Sequence, residues 1–504
     1  MRTSFLSDDT ICAVATPSGM GAIATVRVSG PRAHAIVCSL FRHKEQPFTE
    51  TMIEGYRAYY GQIVGPDETL DEAVVTFFKA PHSFTGEDSA EISVHGSLFV
   101  QQRLLELLIE SGARLAQPGE FTRRAFVNRK FDLAQAEAVA DLIASQNEAA
   151  HRLAMNQLKG GFSKELQALR AQLLEITSLM ELELDFSEED VEFADRNRLK
   201  SLVADTQQHI GRLTDSFRLG NAIRNGIPVA IVGETNTGKS TLLNALLGDE
   251  RAIVSDIPGT TRDTIEETLN IDGLLFRFID TAGIRETEET IEKIGIERTF
   301  RKINEADIVL GIIDGTQSLS GIAESAKAII NRVNILKQTL LLLINKRDLM
   351  EPGMHFDLNR NLLIRLQETY ENNIESNGGC MIDMYQYSIT RRDLYDIRNL
   401  MHFSVISAKD ADDVESLKSD ISRYGSRQIP AEDVVMVSNL RHYEALKHAG
   451  ESLNAVQKGL EEGIPTDLVA QDLREVLYYL GTITGEITTD EVLGSIFSRF
   501  CIGK

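Results

Sequence analysis

The 504-residue chain contains no run of about 18 apolar residues, and its first ten residues, MRTSFLSDDT, lack the apolar core of a secretory leader. Neither a membrane span nor export is indicated, so a cytoplasmic protein is expected. Cysteine is scarce. Cys12, Cys38, Cys380 and Cys501 are widely scattered with no CxxC pair, which argues against a zinc site or a disulfide framework. Net positive charge is missing as well. A formal charge of -23 opposes a polyanionic partner at long range, so any contact with nucleic acid needs a local basic patch. Arg123, Arg124, Arg129 and Lys130 form one such run, which either meets RNA phosphates or is merely solvated.

The chain is too long for one core, since single cores stop growing at roughly 250 residues, and its 42% apolar content fills several. From about residue 10 to 128, β-type runs such as ATVRVSG, DEAVVTFFK and EDSAEISVHG alternate with the helical SLFVQQRLLELLIESG, giving an α+β module. Between roughly 130 and 222 glycine is sparse and apolar residues recur at three and four positions, as in SKELQALRAQLLEITSLMELELDF. The same texture returns after about 430. A helical domain interrupted by another domain explains both stretches, because each then buries the other's apolar face. The interruption reads differently: PVAIVG, FRFIDTAG, ADIVLGIID and TLLLLINK are near-continuous apolar runs suited to a parallel sheet covered on both faces. The expected organisation is an α+β domain over 1–128, helical segments over 129–225 and 428–504, and an inserted α/β domain over 226–427.

Directly after the strand PVAIV comes GETNTGKST, which matches GxxxxGK[ST] from Gly233 to Ser240 and precedes the helical TLLNALLG. Strand, glycine turn and helix are the setting a phosphate-binding loop requires. Gly233 and Gly238 let the backbone approach phosphates, which meet free amides and the positive end of the helix dipole. Asn236, Thr237, Gly238, Lys239, Ser240 and Thr241 are expected to surround the nucleotide, with Lys239 on the β- and γ-phosphates and the Ser240 hydroxyl on magnesium.

Four further motifs follow in order. Gly259, Thr260 and Thr261 open GTTRD, where Thr261 supplies the switch hydroxyl that joins magnesium. Asp280, Thr281, Ala282 and Gly283 form DTAG at a strand end, near the metal and the γ-phosphate. LLLLINKRD supplies Asn345, Lys346 and Asp348. The Asp348 carboxylate accepts the N1–H and 2-amino protons of guanine, a donor pair that adenine does not present. Ser407, Ala408 and Lys409 form SAK, whose backbone N–H groups are expected on the guanine O6. Absent from this set is the water-orienting glutamine that Ras-type switches place after the DxxG glycine: Ile284 stands there, followed by the acidic stretch containing Glu286, Glu288, Glu289 and Glu292.

With GETNTGKS, SDIPGTTRD, DTAGIRE, IEKIGIER, QPGEFTRRAFVNRKFDLAQAEAVADLI and the terminal FCIGK in hand, the chain resembles the MnmE (TrmE) family of tRNA modification GTPases over its whole length. The resemblance implies a homodimer with a folate-binding, dimerising N-terminal domain, a helical domain, and an inserted GTPase domain that pairs across the dimer in a potassium-dependent manner. It implies a flavoprotein partner, MnmG, in a heterotetramer or larger complex. Together they modify C5 of the wobble uridine of certain tRNAs with a carboxymethylaminomethyl-type group, using a 5-formyl- or methylene-tetrahydrofolate one-carbon unit. GTP, magnesium and potassium are the other implied cofactors. By the same resemblance, Asn236, Ser255, Ile257 and Thr260 hold potassium, and the SDIPGTT run from Ser255 through Asp256, Ile257 and Pro258 lines the nucleotide. Glu292 matches the water-orienting glutamate, and Arg27, Glu91, Lys130 and Lys504 match the folate pocket. Cys501 matches a cysteine needed for modification.

Two departures stand out: Ser97 follows Gly96 where the family has a second glycine, and residues 351–400 look like a surface insertion. Two other classes share part of the pattern. A ribosome-assembly GTPase would need neither the terminal cysteine tetrapeptide nor the N-terminal module, and a GTP-dependent scaffold would carry no chemistry of its own.

Overall fold

The computed structural model describes residues 9–66, 68–185, 196–248, 267–279, 305–334, 338–350, 401–426, 435–498, 500 and 503. The chain divides into two compact units, one of Met1–Ala144, Ala154–Thr214 and Arg441–Lys504, the other of Ser145–Leu153 and Asp215–Leu440.

In the first unit, β1 (Ile11–Val14), β2 (Ile23–Ser29), β3 (Phe41–His43), β4 (Gln46–Pro47), β5 (Arg57–Val64), β6 (Thr69–Phe78), β7 (Ser89–His95) and β8 (Arg114–Leu115) make one sheet. Its order is β4-β3-β5-β6-β7-β2-β1-β8, and of these pairs β1 and β8 run parallel while the rest are antiparallel. Successive side chains of a strand point to opposite faces. On β2, Ala24, Val26 and Val28 therefore enter the core shared with Ile36 and Val37 of the helix Ala33–Leu40 and with Leu104 and Leu108 of the helix Leu98–Glu110. Arg27 falls on the other face.

Heptad spacing builds the helical part of this unit. Buried Phe162, Leu166, Leu169, Leu173, Ile176 and Met180 recur at steps of four and three along Gly161–Asp185, and Val469, Leu473, Val476, Leu480 and Ile483 do the same along Thr466–Thr484. Such seams pack helices side by side, and these two helices are in extensive contact. A helix from before the inserted segment thus shares a core with one from after it. Nearby, Leu133, Ala136, Leu493, Phe497 and Phe500 close a smaller cluster.

The second unit holds β9 (Ile227–Val232), β10 (Glu267–Ile271), β11 (Leu274–Ile279), β12 (Ile308–Asp314), β13 (Thr339–Asn345) and β14 (Met401–Val405), ordered β10-β11-β9-β12-β13-β14. All pairs are parallel except the β10–β11 hairpin. The apolar runs fill both faces. Val229, Leu310 and Leu343 pack with Leu242 and Leu246 of the helix Lys239–Leu247 and with Leu417 and Ile421 of the helix Ala411–Ser426. On the other side, Ala230, Val309 and Leu342 pack with Ile322 and Ala326 of the helix Leu319–Ile330.

The helix Phe217–Asn225 has the sequence texture of the helices before it, yet its Ala222 and Ile223 join the core of this parallel sheet. Where the chain leaves the unit it meets the start of this helix: the Val437 amide donates to Ser216 Oγ at 3.0 Å, and a Cβ on Gly220 would lie 2.2 Å from the Val437 carbonyl oxygen. Among the described residues, no helix is long and apolar enough to cross a membrane.

Candidate functional site

β9 ends at Val232, and the glycine turn after it feeds the helix Lys239–Leu247 at the carboxyl edge of the parallel sheet, where open α/β sheets bind ligands. Gly238 caps that helix with φ 98°, and a Cβ there would lie 2.2 Å from Asn345 Nδ2. Only glycine satisfies both conditions. Lys239 Nζ donates to the carbonyls of Gly233 at 2.9 Å and Glu234 at 2.6 Å. Burial lowers its pKa, with the Glu234 carboxylate opposing. A half-buried ammonium received by carbonyls, at the N-terminal end of a helix, suits a phosphate group. Ser240 and Thr241 occupy the first helical turn. Asn236 is exposed with φ 62°, a left-handed conformation that asparagine tolerates better than most residues.

The NKRD and SAK segments converge on the same edge. Asn345, 2% exposed at the end of β13, donates from Nδ2 to the Thr237 carbonyl at 2.8 Å and accepts from the Ala408 amide at Oδ1 at 2.9 Å. One amide side chain therefore holds the phosphate loop and the SAK turn together. Asp348 Oδ1 accepts from Ser407 Oγ at 2.8 Å, which orients the carboxylate while leaving acceptor capacity for a donor pair. The SAK amides are more committed than the motif suggested. Ser407 N–H donates to Asp413 Oδ2 at 2.7 Å and Ala408 N–H to Asn345, so the Lys409 amide, 3.4 Å from Ser407 Oγ, is the least engaged of the three. Asp413 also pairs with Arg347 at 3.0 Å through its other oxygen.

Lys346 has φ 68° and sends Nζ to Asp314 Oδ2 at 2.6 Å. Ser255, Asp256, Ile257, Pro258, Gly259, Thr260, Thr261, Asp280, Thr281, Ala282, Gly283 and Glu292, expected from the motifs and the resemblance to serve as switch, cation and water-orienting residues, lie outside the described residues, as do Cys501, Lys504 and the segment 351–400.

On the N-terminal sheet, register places Arg27 opposite Glu91. Arg27 donates to Glu91 Oε1 from Nε at 2.9 Å and from Nη2 at 2.7 Å, and its guanidinium lies 5.1 Å from the Phe84 ring centre and 5.7 Å from that of Phe121. Two residues that match the family's folate pocket thus form one ion pair between aromatic walls. Lys130 Nζ donates to the Pro81 carbonyl at 3.1 Å.

Arg124 is not part of an exposed basic face. Buried to 8% exposure, it donates to Asp9 Oδ1 at 2.7 Å, to Glu120 Oε1 at 3.1 Å and to both oxygens of Glu87 at 3.2 Å. The end of the chain packs against this domain. A Cβ on Gly119 would lie 2.6 Å from the Phe497 carbonyl oxygen, and one on buried Gly503, with φ 96°, would lie 2.2 Å from that of Val14.

Sequence reasoning passed over Asp314, Asp413, Phe84 and Phe121. Asp314 had a usable signal, being an acid at the carboxyl end of an apolar strand in a parallel sheet. The aromatic walls had none, since bulky side chains next to turns are ordinary core residues.

The model described as the MnmE helical domain matches residues 133–501, and that described as the N-terminus of the GTP-binding protein TrmE matches residues 10–130. A tRNA modification GTPase MnmE of Bacteroides thetaiotaomicron is 47% identical over 499 residues, covering 99% of this chain and 100% of that protein. The protein of the same name from Flavobacterium johnsoniae is 46% identical over 503 residues, covering 99% and 100%. Among solved structures, Era in complex with MgGDPNP and a 16S ribosomal RNA fragment is similar over 45% of this chain and 66% of that one, at 27% identity and a TM-score of 0.25.

Proposed function

This chain belongs to the family of tRNA modification GTPases named MnmE, and from that membership we propose a specific reaction for it. The enzyme is a GTP hydrolase that acts in tRNA modification. In the proposed reaction, potassium stimulates hydrolysis, and a homodimer works with the flavoprotein MnmG in the cytoplasm. The product is a carboxymethylaminomethyl-type group at C5 of the wobble uridine of certain tRNAs, with a tetrahydrofolate derivative as the one-carbon source.

The observation that carries the nucleotide half is the junction at Asn345, which draws the phosphate loop and the SAK turn into one site at the sheet's carboxyl edge. Lys239 exchanges its two carbonyl partners for phosphate oxygens, a stronger charge-assisted contact. Asp348, oriented by Ser407, accepts the two guanine donors. Ser240 with Thr261 would hold magnesium, and Asn236 with Ser255, Ile257 and Thr260 would hold potassium. Glu292 orients the attacking water in the role for which Ile284 is unsuited. Bound magnesium and potassium neutralise charge that develops on the phosphates, and bound folate supplies the one-carbon unit.

For the folate half, the support is the Arg27–Glu91 pair between Phe84 and Phe121: flat apolar walls suit a pterin ring, and a carboxylate and a guanidinium suit its donors and acceptors. Lys130 and Lys504 would hold the acidic tail. Calorimetric titration with 5-formyltetrahydrofolate tests this half. Saturable binding that weakens in Glu91→Gln is expected, whereas no saturation in the full chain would dismiss the folate site and return the N-terminal domain to a scaffold role.

A further inference from the structure

The ion pair between Lys346 and Asp314 lies at the base end of the nucleotide site and joins two strand ends. Asp314 closes β12 and Asn345 closes β13, paired in parallel register, so Lys346 is the first residue beyond the sheet. The turn after β12 is bound to the β13 end by the Gly315 amide, which donates to the Asn345 carbonyl at 2.9 Å. A Cβ on Gly315 would fall 2.7 Å from that same oxygen, so the two turns are in close contact.

Asp314 is itself held. Its Oδ1 accepts from the Thr316 amide at 2.9 Å and from Thr316 Oγ1 at 2.7 Å, leaving Oδ2 for Lys346 at 2.6 Å. The pair is largely shielded, with the two side chains 27% and 17% exposed. Lys346 adopts φ 68°, a left-handed conformation unfavourable for a lysine that its surroundings must impose. A long, flexible cation is thereby fixed at one end by its backbone and at the other by a preset carboxylate.

We propose that Asp314 is a positioning residue for guanine nucleotide binding: by holding the Lys346 ammonium it fixes the lysine stem as part of the base pocket, next to Asn345 and Asp348. An acid that drew Lys346 away from the base would have the opposite effect and weaken binding. Competition would require Asp314 to be mobile, and the two Thr316 hydrogen bonds oppose that. The gain from preorganising Lys346 appears as affinity, because a side chain already ordered loses less freedom on binding.

This inference rests on the assignment of Asn345, Lys346 and Asp348 to the guanine base. The test measures the affinity of the full chain for a fluorescent GDP in four forms: wild type, Asp314→Asn, Lys346→Met and the double variant. Asp314→Asn should weaken binding about fivefold to tenfold, as expected for losing a partly shielded charge-assisted contact. In the Lys346→Met background the same substitution should have little further effect. Inosine diphosphate, which lacks the 2-amino group facing Asp348, should lose affinity by the same factor. In steady-state hydrolysis KM should rise while kcat holds, because the reacting phosphate is at the other end of the nucleotide.

Tighter binding in Asp314→Asn, an unchanged affinity, or an equal loss with and without Lys346 would each overturn the role of Asp314. Wild-type protein that binds no GDP would instead remove the nucleotide reading on which it depends.

Discussion

Asn345 donates to the backbone carbonyl of Thr237 across 2.8 Å while its other amide atom receives the Ala408 N–H, so a single buried side chain fixes two loops more than sixty residues away on either side. Both bonds are made out of water, where leaving a partner unsatisfied costs about 1–3 kcal/mol for each group. Asn345→Ala should therefore weaken GDP binding by at least tenfold and lower the unfolding temperature of the nucleotide-binding unit. Fluorescent-nucleotide titration and thermal unfolding measure the two effects. Intact affinity in that variant would show that the P-loop and the SAK turn hold their positions without it.

The parts of this site that lie within short motifs were legible in the sequence, because GETNTGKST, NKRD and SAK each fix their own local backbone. The sheet was legible for a related reason: strands such as β13 are apolar at every position, which suits only a sheet covered on both faces. What escaped depends on distant partners. Arg124 looked like a surface cation until Asp9 and Glu87, from two other segments, joined Glu120 of its own helix around it. Arg27 and Glu91 needed the β2–β7 register to become a pair. The helix Phe217–Asn225 shows the limit of periodicity, which reveals an apolar face without saying which core will receive it.

Asn236 tests the proposed potassium site, and its backbone dictates the choice of variant. At φ 62° alanine would add strain of its own, whereas glycine adopts the conformation freely, so Asn236→Gly removes the side chain alone. GTP hydrolysis by the wild type should be faster in potassium than in sodium at equal ionic strength, and the variant should lose most of that difference while still binding GDP. Equal rates in the two salts would dismiss the site. Glu292→Ala in the same assay should slow hydrolysis and spare nucleotide affinity; a parallel loss of affinity would give Glu292 a structural part instead.

The helical part carries a buried ionic cluster with a calculable response to acid. Glu137 receives Arg441 Nε at 3.0 Å and Arg441 Nη2 at 2.7 Å, and lies 2.7 Å from His442 Nε2. Burial opposes its charge, but His442 and Arg441 outweigh that and hold its pKa at about 2, below the ordinary 4.5. Burial pushes His442 below its ordinary 6.5, against the pull of Glu137. Both depressed values mean that the unfolded chain binds more protons, so stability is present above these ordinary pKa values and is lost as pH falls. Glu137→Gln should cost about 3 kcal/mol near neutrality. That penalty should shrink as pH drops below about 4.5, where Glu137 takes up a proton in the unfolded chain but not yet in the folded one, and should be gone once pH passes the folded value of about 2. Urea unfolding of the full chain at a series of pH values measures it, and a penalty independent of pH would assign the loss to packing rather than charge.

The C-terminal cysteine tetrapeptide can be tested through its glycine as well as its thiol. Gly503 is buried at φ 96° with its Cα facing the Val14 carbonyl so closely that an added Cβ would lie 2.2 Å away, and neither condition admits an L side chain. Val14 ends β1 beside Val26 of β2, one residue from Arg27, so the tail is anchored next to the strand that carries the proposed folate pair. Gly503→Ala should dislodge this anchor without altering any reactive group. Cys501→Ser, by contrast, removes the thiol and keeps the anchor. Both variants should hydrolyse GTP at the wild-type rate, since the residues proposed for the nucleotide site, Gly233–Ser240, Asn345 and Ser407–Lys409, belong to the other unit. In a reconstituted reaction with the flavoprotein partner and tRNA, both should lose wobble-uridine modification. Against the wild type, Gly503→Ala should also change the rate at which Cys501 is alkylated. Full modification by Cys501→Ser would end the catalytic reading of the thiol. If that variant fails while Gly503→Ala modifies tRNA normally, the thiol is required but its placement does not depend on the Val14 contact.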